Sequence, residues 1–257
     1  MSEAVLPVAR QFRRNPESFA RMAADGDAKF LHYILSISGA ARGDSVLDVA
    51  CGPGACTLAF AARCRRAVGL DVSAELVHKA REHAARLNVQ NATFTVGEVE
   101  RMPFGDGAFD AVVCRFCFHH ALHPERVFAE MARAVGLRGW MVVVDVTASE
   151  DPAKAALHNE LERLCDPTHA RALPASEFER IFNMHGFKVA MKIGRKARTT
   201  VEDWLRMGGA PQENVPVLRA MLDEAVDGDR AGLGMVREAG TIRLTHNSAI
   251  FVLERAG

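Results

Sequence analysis

Short apolar runs alternate with amphipathic stretches along most of this chain, and the alternation has the spacing of strands and helices. Val46 to Ala50, Ala67 to Asp71, Ala92 to Val96, Ala111 to Cys114, Met141 to Val146 and Val189 to Ile193 read as strands, each short and rich in valine or other β formers. Helical patterns fall between them. Ser73 can cap a helix through Leu87, Pro124 suits the first turn of one through Val135, and Ser176 with Glu179 forms a capping box for one that stops at Gly186. Alternating strands and helices predict a doubly wound parallel sheet, and near-continuous apolar strands predict that both faces are covered. Near the end the pattern changes. Ile242 to His246 and Ala249 to Leu253 read as two strands joined at Asn247 and Ser248, which predicts a hairpin, an antiparallel strand and a mixed sheet.

Three segments stand outside the alternation: 1–40, helical in character, Ser149 to Leu173, and Thr199 to Gly240. In an open α/β sheet the ligand lies beyond the carboxyl ends of the strands, where long connections grip it. These segments are therefore lid candidates: an N-terminal helical lid over 1–40, then a main domain over 41–257 with insertions at about 149–173 and 199–240. Helices that merely complete the core are the alternative.

Composition narrows the classes. With 257 residues, 49% of them hydrophobic, one large core is affordable. The 32 basic residues offset 32 acidic ones, so no positive field points to nucleic acid or an anionic membrane. No apolar run approaches the roughly 20 residues of a membrane span, and no signal core opens the chain, so a cytoplasmic location is expected. The six cysteines suit reduced core thiols better than a disulfide framework.

Candidate chemistry begins where the first strand meets Cys51-Gly52-Pro53-Gly54. Gly52 and Gly54 allow a tight turn and close approach to a ligand at a helix start. A dinucleotide loop would carry a third glycine, and here that position is Thr57. Asp71 ends the second strand about 20 residues after the first glycine, where a carboxylate can hold both hydroxyls of a ribose. Gly97-Glu98-Val99-Glu100 follows the third strand and adds a second acidic site.

The ordered runs VLDVACGPG, VGLDVS, TVGEVERMPFGDGAFDAVVCRFCFHH, HPERVFAEMARAV and RGWMVVVD resemble the class I S-adenosylmethionine-dependent methyltransferases. The likeness spans about Ala41 to Ile193 and is nearest to small-molecule enzymes related to ubiquinone and menaquinone biosynthesis. It implies a Rossmann-like, seven-stranded mixed sheet with a reversed last strand, matched by Ile242 to Leu253. It also implies S-adenosylmethionine as cofactor and S-adenosylhomocysteine as product. By position, Asp48, Ala50, Gly52 and Gly54 match the motif around the methionine part, with Ala50 where many members have glycine. Asp71 matches the ribose acid and Val72 lies beside the adenine. Glu98 and Val99 match the pair that receives the adenine, with Glu98 where many relatives have aspartate. Cys114 and Arg115 match the segment beside the methionine portion.

Methyl transfer from a positive sulfur is an in-line displacement, so the protein mainly aligns the partners and excludes water. No metal is required. A base is needed if the nucleophile is protonated, and Phe118-His119-His120, with His123 beyond, supplies imidazoles that titrate near neutral pH. The resemblance favours His119 or His120, either as base or as pocket wall. Zinc at Cys114, Cys117, His119 and His120 is disfavoured, because four ligands in seven residues of a strand end can hardly close a tetrahedron. The acceptor is expected to be a small molecule. Relatives that methylate amide or base nitrogen often carry Asn/Asp-Pro-Pro-Tyr/Phe where this chain has Cys114-Arg115-Phe116-Cys117, and the basic run Arg195-Lys196-Ala197-Arg198 reads as a solvated loop.

In the lid candidates, Trp204, Leu205 and Met207 form an apolar helix face, while His158, Asp166, His169 and Arg171 form a polar group. Phe12, Phe19 and Phe30 could close over the cofactor or lie in the core. If Arg171 or Arg195 faces the crevice, an acidic acceptor is favoured. Two other classes share the crevice: a nicotinamide-dependent oxidoreductase, and a non-catalytic S-adenosylmethionine-binding protein. A homodimer remains open as the assembly.

Overall fold

The computed structural model describes residues 28–256. Helix α1 (Ala28–Ile37) precedes β1 (Ser45–Val49), α2 (Ala55–Ala61), β2 (Arg66–Asp71), α3 (Ala74–Arg86), β3 (Ala92–Val96) and β4 (Phe109–Arg115). A 3-10 turn (Phe118–His120) leads to α4 (Pro124–Ala134), β5 (Val135–Ala148), α5 (Pro152–Cys165), β6 (Leu173–Pro174), α6 (Ala175–Met184) and β7 (Phe187–Thr200). The chain ends with α7 (Val201–Gly208), α8 (Val215–Ala225), β8 (Val236–Glu238) and β9 (Thr241–Arg255).

The sheet runs in the order β3-β2-β1-β4-β5-β9-β7, with β6 on β5 and β8 on β9 off this path. Strands β1 to β5 pair in parallel, and β9 is antiparallel to both β5 and β7. The doubly wound mixed sheet with its reversed strand is thus as expected. Because successive strand residues face opposite ways, Leu47 and Val49 pack with α4 and α6 on one side, while Val46 packs with α1 and α2 on the other.

Local chemistry explains the helix ends. Ser73 caps α3 by accepting the Leu76 N–H at 3.3 Å, and Pro124 opens α4. Helix α6 departs from expectation, since its N-cap is Pro174 and Ser176 lies one residue inside the helix. The Glu150 carboxylate does the capping instead, accepting the Ser176 N–H at 3.0 Å and its hydroxyl at 2.5 Å.

The hairpin at Asn247 and Ser248 is also corrected. Both lie inside one continuous strand, β9, opposite Lys196 and Arg195 of β7. Arg195 to Arg198, expected as a solvated loop, are therefore strand residues. The tight turn lies earlier, at Ala239 and Gly240, whose φ values of 50° and 78° suit the two-residue hairpin joining β8 to β9. The β7 ladder runs through both residues, β5 pairs as far as Ser248, and no left-handed residue at 247 or 248 breaks β9.

A third apolar cluster gathers the two insertions. Leu161 and Cys165 of α5, Trp204 and Leu205 of α7, and Leu218 and Leu222 of α8 pack over Ile242 and Leu244 of β9. The segments at about 149–173 and 199–240 thus share one core, distinct from the two beneath the main helices. Most of the expected lid over 1–40, including Phe12 and Phe19, lies outside the described residues. Its described part, α1, packs under the sheet, where Phe30 is buried below the Arg195 guanidinium, 4.4 Å from the ring centre.

Candidate functional site

The carboxyl ends of β1, β2 and β4 open on one cavity of about 560 Å³. Its near wall is the turn after β1. Ala50 and Gly52 both adopt left-handed backbone, with φ of 57° and 53°. Alanine is strained there where glycine is not, which is a physical reason for the glycine many relatives carry. Gly54, at φ 87°, lies behind the wall, and a Cβ on it would come within 2.8 Å of the Phe94 ring and 2.9 Å of Ala80.

Asp71 ties this turn to the end of β2. Its Oδ2 accepts the Gly52 N–H at 2.8 Å and its Oδ1 accepts the Ser73 N–H at 2.8 Å. Each oxygen keeps a lone pair for another donor. Burial raises the pKa of Asp71 above the ordinary carboxylate value, while the N–H groups of Ser73, Gly52 and Val72 oppose that rise.

Asp48, Gly54 and Cys114 are not brought to the cavity surface, whereas Ala50, Gly52, Asp71, Val72, Glu98, Val99, Arg115, His119 and His120 are. Asp48 accepts the Thr57 hydroxyl at 2.6 Å, and burial lifts its pKa to about 6 against the pull of Thr57 and Arg115. That bond gives Thr57 a structural task at the place where a dinucleotide loop has its third glycine. Cys114 is fully buried in the sheet core, and all six cysteines are buried thiols outside any disulfide.

The far wall was less visible in the sequence. Asp145, wholly buried on β5, accepts N–H groups of Cys117 at 2.9 Å and Phe118 at 2.7 Å on Oδ2. Its Oδ1 lies 2.6 Å from His119 Nδ1. An Nδ1–H donated to that carboxylate leaves the lone pair of the neutral ring on Nε2. Burial pulls the His119 pKa down, but the Asp145 charge and hydrogen bond outweigh it and the net direction is up. His120 lies beside it, with ring centres 4.0 Å apart, and its Nδ1 is 3.1 Å from the Thr168 carbonyl. Burial and the neighbouring His119 push His120 down to about 4. His123, the third imidazole expected here, is the half-exposed N-cap of α4, 3.8 Å from Glu125.

The insertion after β5 completes this wall. The Ala170 and Arg171 N–H groups donate to the His119 carbonyl at 2.8 and 3.1 Å, which fixes the loop after α5 on the 3-10 turn. His169 is held by Asn159 Oδ1 at 2.8 Å, and burial with the charge on His119 lowers its pKa to about 3. Glu162 lies between His158, at 3.5 Å, and His246, at 3.4 Å. Burial would raise the Glu162 pKa, yet the surrounding His158, His246 and His169 hold it at about 2. The same burial lowers His246. Trp204, Met207 and Arg195 also face the cavity, whereas Arg171 turns outward to Glu177 at 2.6 Å.

Sequence reasoning had assigned no role to Asp145, Glu162, Thr168 or His246. His158 and Glu162 stand four residues apart, one helical turn, which is a usable signal. Nothing local links either to His246, more than 80 residues on in the chain.

A glycine turn, a strand-end acid and a reversed strand in this order define a nucleoside-binding methyltransferase fold, and comparisons with known proteins agree. Residues 46–139 match the methyltransferase domain model. The uncharacterized methyltransferase sll0829 of Synechocystis sp. is 33% identical over 210 residues, covering 81% of this chain and 90% of its own. The uncharacterized methyltransferase YcgJ of Bacillus subtilis is 28% identical over 218 residues, 84% of this chain and 85% of its own. The YcgJ crystal structure superposes with a TM-score of 0.81, covering 88% of this chain and 98% of that one. A ubiquinone biosynthesis O-methyltransferase of Sodalis glossinidius is 32% identical over 151 residues, 52% of this chain and 61% of its own. The chain belongs to the methyltransferase family and is an S-adenosylmethionine-dependent methyltransferase, which displaces the nicotinamide alternative. No helix among the described residues is long and apolar enough to cross a membrane.

Proposed function

We propose that the protein methylates a small-molecule acceptor, with His119 as base and Asp145 as its positioning partner. The observation that carries this reading is that the Asp71–Gly52 turn and the His119–Asp145 pair line the same cavity. Asp71 would hold the ribose through its remaining lone pairs, Val72, Glu98 and Val99 the adenine, and Ala50, Gly52 and Arg115 the methionine end. Bound there, S-adenosylmethionine supplies a methyl group on a positively charged sulfur. The acceptor lies toward the insertion core, with Trp204 and Met207 as apolar wall and Arg195 as a cation suited to an acidic group. As the acceptor atom takes the methyl, its proton passes to His119 Nε2, and the buried Asp145 carboxylate stabilises the imidazolium. Asp48, Gly54 and Cys114 support the turn and sheet from behind.

The insertions at about 149–173 and 199–240 serve in this scheme as the wall that excludes water from the displacement. A cavity of about 560 Å³, closed on this side by helices, favours a small acceptor over a polymer. The even charge balance gives no reason to invoke nucleic acid. The test is release of S-adenosylhomocysteine across a panel of small hydroxyl, thiol, amine and carboxylic acid compounds, alongside calorimetry with the cofactor. Turnover with a panel member that depends on His119 is expected. Cofactor binding without turnover on any compound would favour the non-catalytic binder.

A further inference from the structure

His158, Glu162 and His246 form a group outside the proposed proton path, and each offers one ligand atom within 4.8 Å of the others. Their arrangement has two separate origins in the fold. His158 and Glu162 share a face of α5 at one-turn spacing, and His246 reaches them from β9, which runs past that helix. The Glu162 Oε1 stands 3.5 Å from His158 Nε2 and 3.4 Å from His246 Nδ1. Those separations exceed the ~2.7–3.2 Å of a good N–H···O bond. They match two edges of a tetrahedron with bonds of ~2.1 Å, each ~3.4 Å, and the third separation lies within 4.8 Å. His246 turns Nδ1 toward Glu162, so an ion there would take Nδ1 and leave the buried Nε2, which has no hydrogen-bond partner, on the far side of the ring. On the other side, Glu162 Oε2 faces the Trp204 indole N–H at 3.4 Å, which orients the carboxylate as an outer partner would.

We infer that His158, Glu162 and His246 bind one divalent transition-metal ion of the zinc type, with a coordination position open to the cavity. Two imidazoles and one carboxylate are a donor set that zinc favours, and hard ions that require six oxygens do not. Glu162 and His246 line the cavity while His158 is buried behind them, so the open position faces the chamber. The ligand it would take is an oxygen, sulfur or nitrogen atom of the acceptor, whose pKa the ion would lower. That role rests on the proposed acceptor chamber, but the ion site itself does not. In the sequence its trace is the one-turn spacing of His158 and Glu162, and the fold alone brings His246 to them from more than 80 residues on.

The test is titration of the untagged, full-length protein, stripped with a chelator, with Zn²⁺ and with Co²⁺. One equivalent should bind, and the Co²⁺ form should show the intense visible bands of four-coordination without a thiolate charge-transfer band. Glu162→Gln and His246→Ala should each weaken binding at least about tenfold. Circular dichroism and S-adenosylhomocysteine calorimetry on the same variants check that the fold and cofactor pocket persist. No stoichiometric binding by the parent protein overturns the proposal. So does binding that survives both substitutions, or a thiolate band that moves the ion to the cysteines. Ion binding in a protein without methyl transfer would retain the site and remove only the acceptor reading.

Discussion

The two walls of the cavity are built by different means. The cofactor wall comes from backbone turns at the ends of neighbouring strands, with Gly52 N–H donating to Asp71 and Asp48 bracing Thr57. The opposite wall comes from side chains on β5, the 3-10 turn, α5, α7, β7 and β9, and it gathers His119, His120, His169 and His246 around Asp145 and Glu162. Geometry fixed by a turn admits one ligand class. Side chains on insertions can be exchanged without touching the turn, so this is the wall where acceptor choice resides.

Substitutions should separate the walls. The largest effect is expected for His119→Ala, with kcat reduced by about 100-fold or more while calorimetric affinity for S-adenosylmethionine is kept. Equal losses in rate and cofactor affinity would mean the walls are not separable. Asp145→Asn should also slow turnover. It should move the rising limb of the pH–rate profile to lower pH, because the carboxylate is what raises the His119 pKa above its ordinary value.

Asp71→Ala should come next, weakening S-adenosylmethionine and S-adenosylhomocysteine binding by about 10- to 100-fold through loss of charged hydrogen bonds. A normal affinity in that variant would remove Asp71 from the ribose role.

A smaller effect concerns acid. His120 has a folded pKa of about 4, below the ordinary 6.5, so the unfolded chain binds a proton that the folded one refuses. Its contribution to stability is complete above pH 6.5 and is lost as pH falls from 6.5 toward 4. His120→Gln should flatten thermal stability over that window, and an unchanged slope would assign the acid sensitivity elsewhere. Last, Ala50→Gly should relieve left-handed strain and raise stability by about 1 kcal/mol in denaturant melts. No gain would mean that the turn tolerates the alanine at no cost.

The same contrast explains what the sequence disclosed. The glycine turn, Asp71 and Glu98 were legible because each follows its own strand at fixed spacing, and ladder order then brings the strand ends together. Ser73 and Pro124 were legible because capping is decided within one turn. The capping box at Ser176 failed because Glu150, 26 residues away in sequence, competes for the same N–H. The supposed break at Asn247 and Ser248 failed because the β7 ladder continues through both residues, joined by β5 at Ser248, and overrides their turn preference. His119 could be read as a candidate, but Asp145, which gives it a tautomer, is joined to it only by the β4–β5 pairing.

Strand β9 carries one more consequence. Its first half supplies Ile242 and Leu244 to the insertion core, and its second half supplies Ile250, Phe251 and Leu253 to the cores of the main sheet. Fifteen residues of continuous strand act as a beam clamped at both ends, with β7 lying alongside it for almost its whole length despite one register shift at Val189–Met191. A beam of that kind transmits load but does not fold, so the wall cannot swing away from the sheet about a hinge at 247–248.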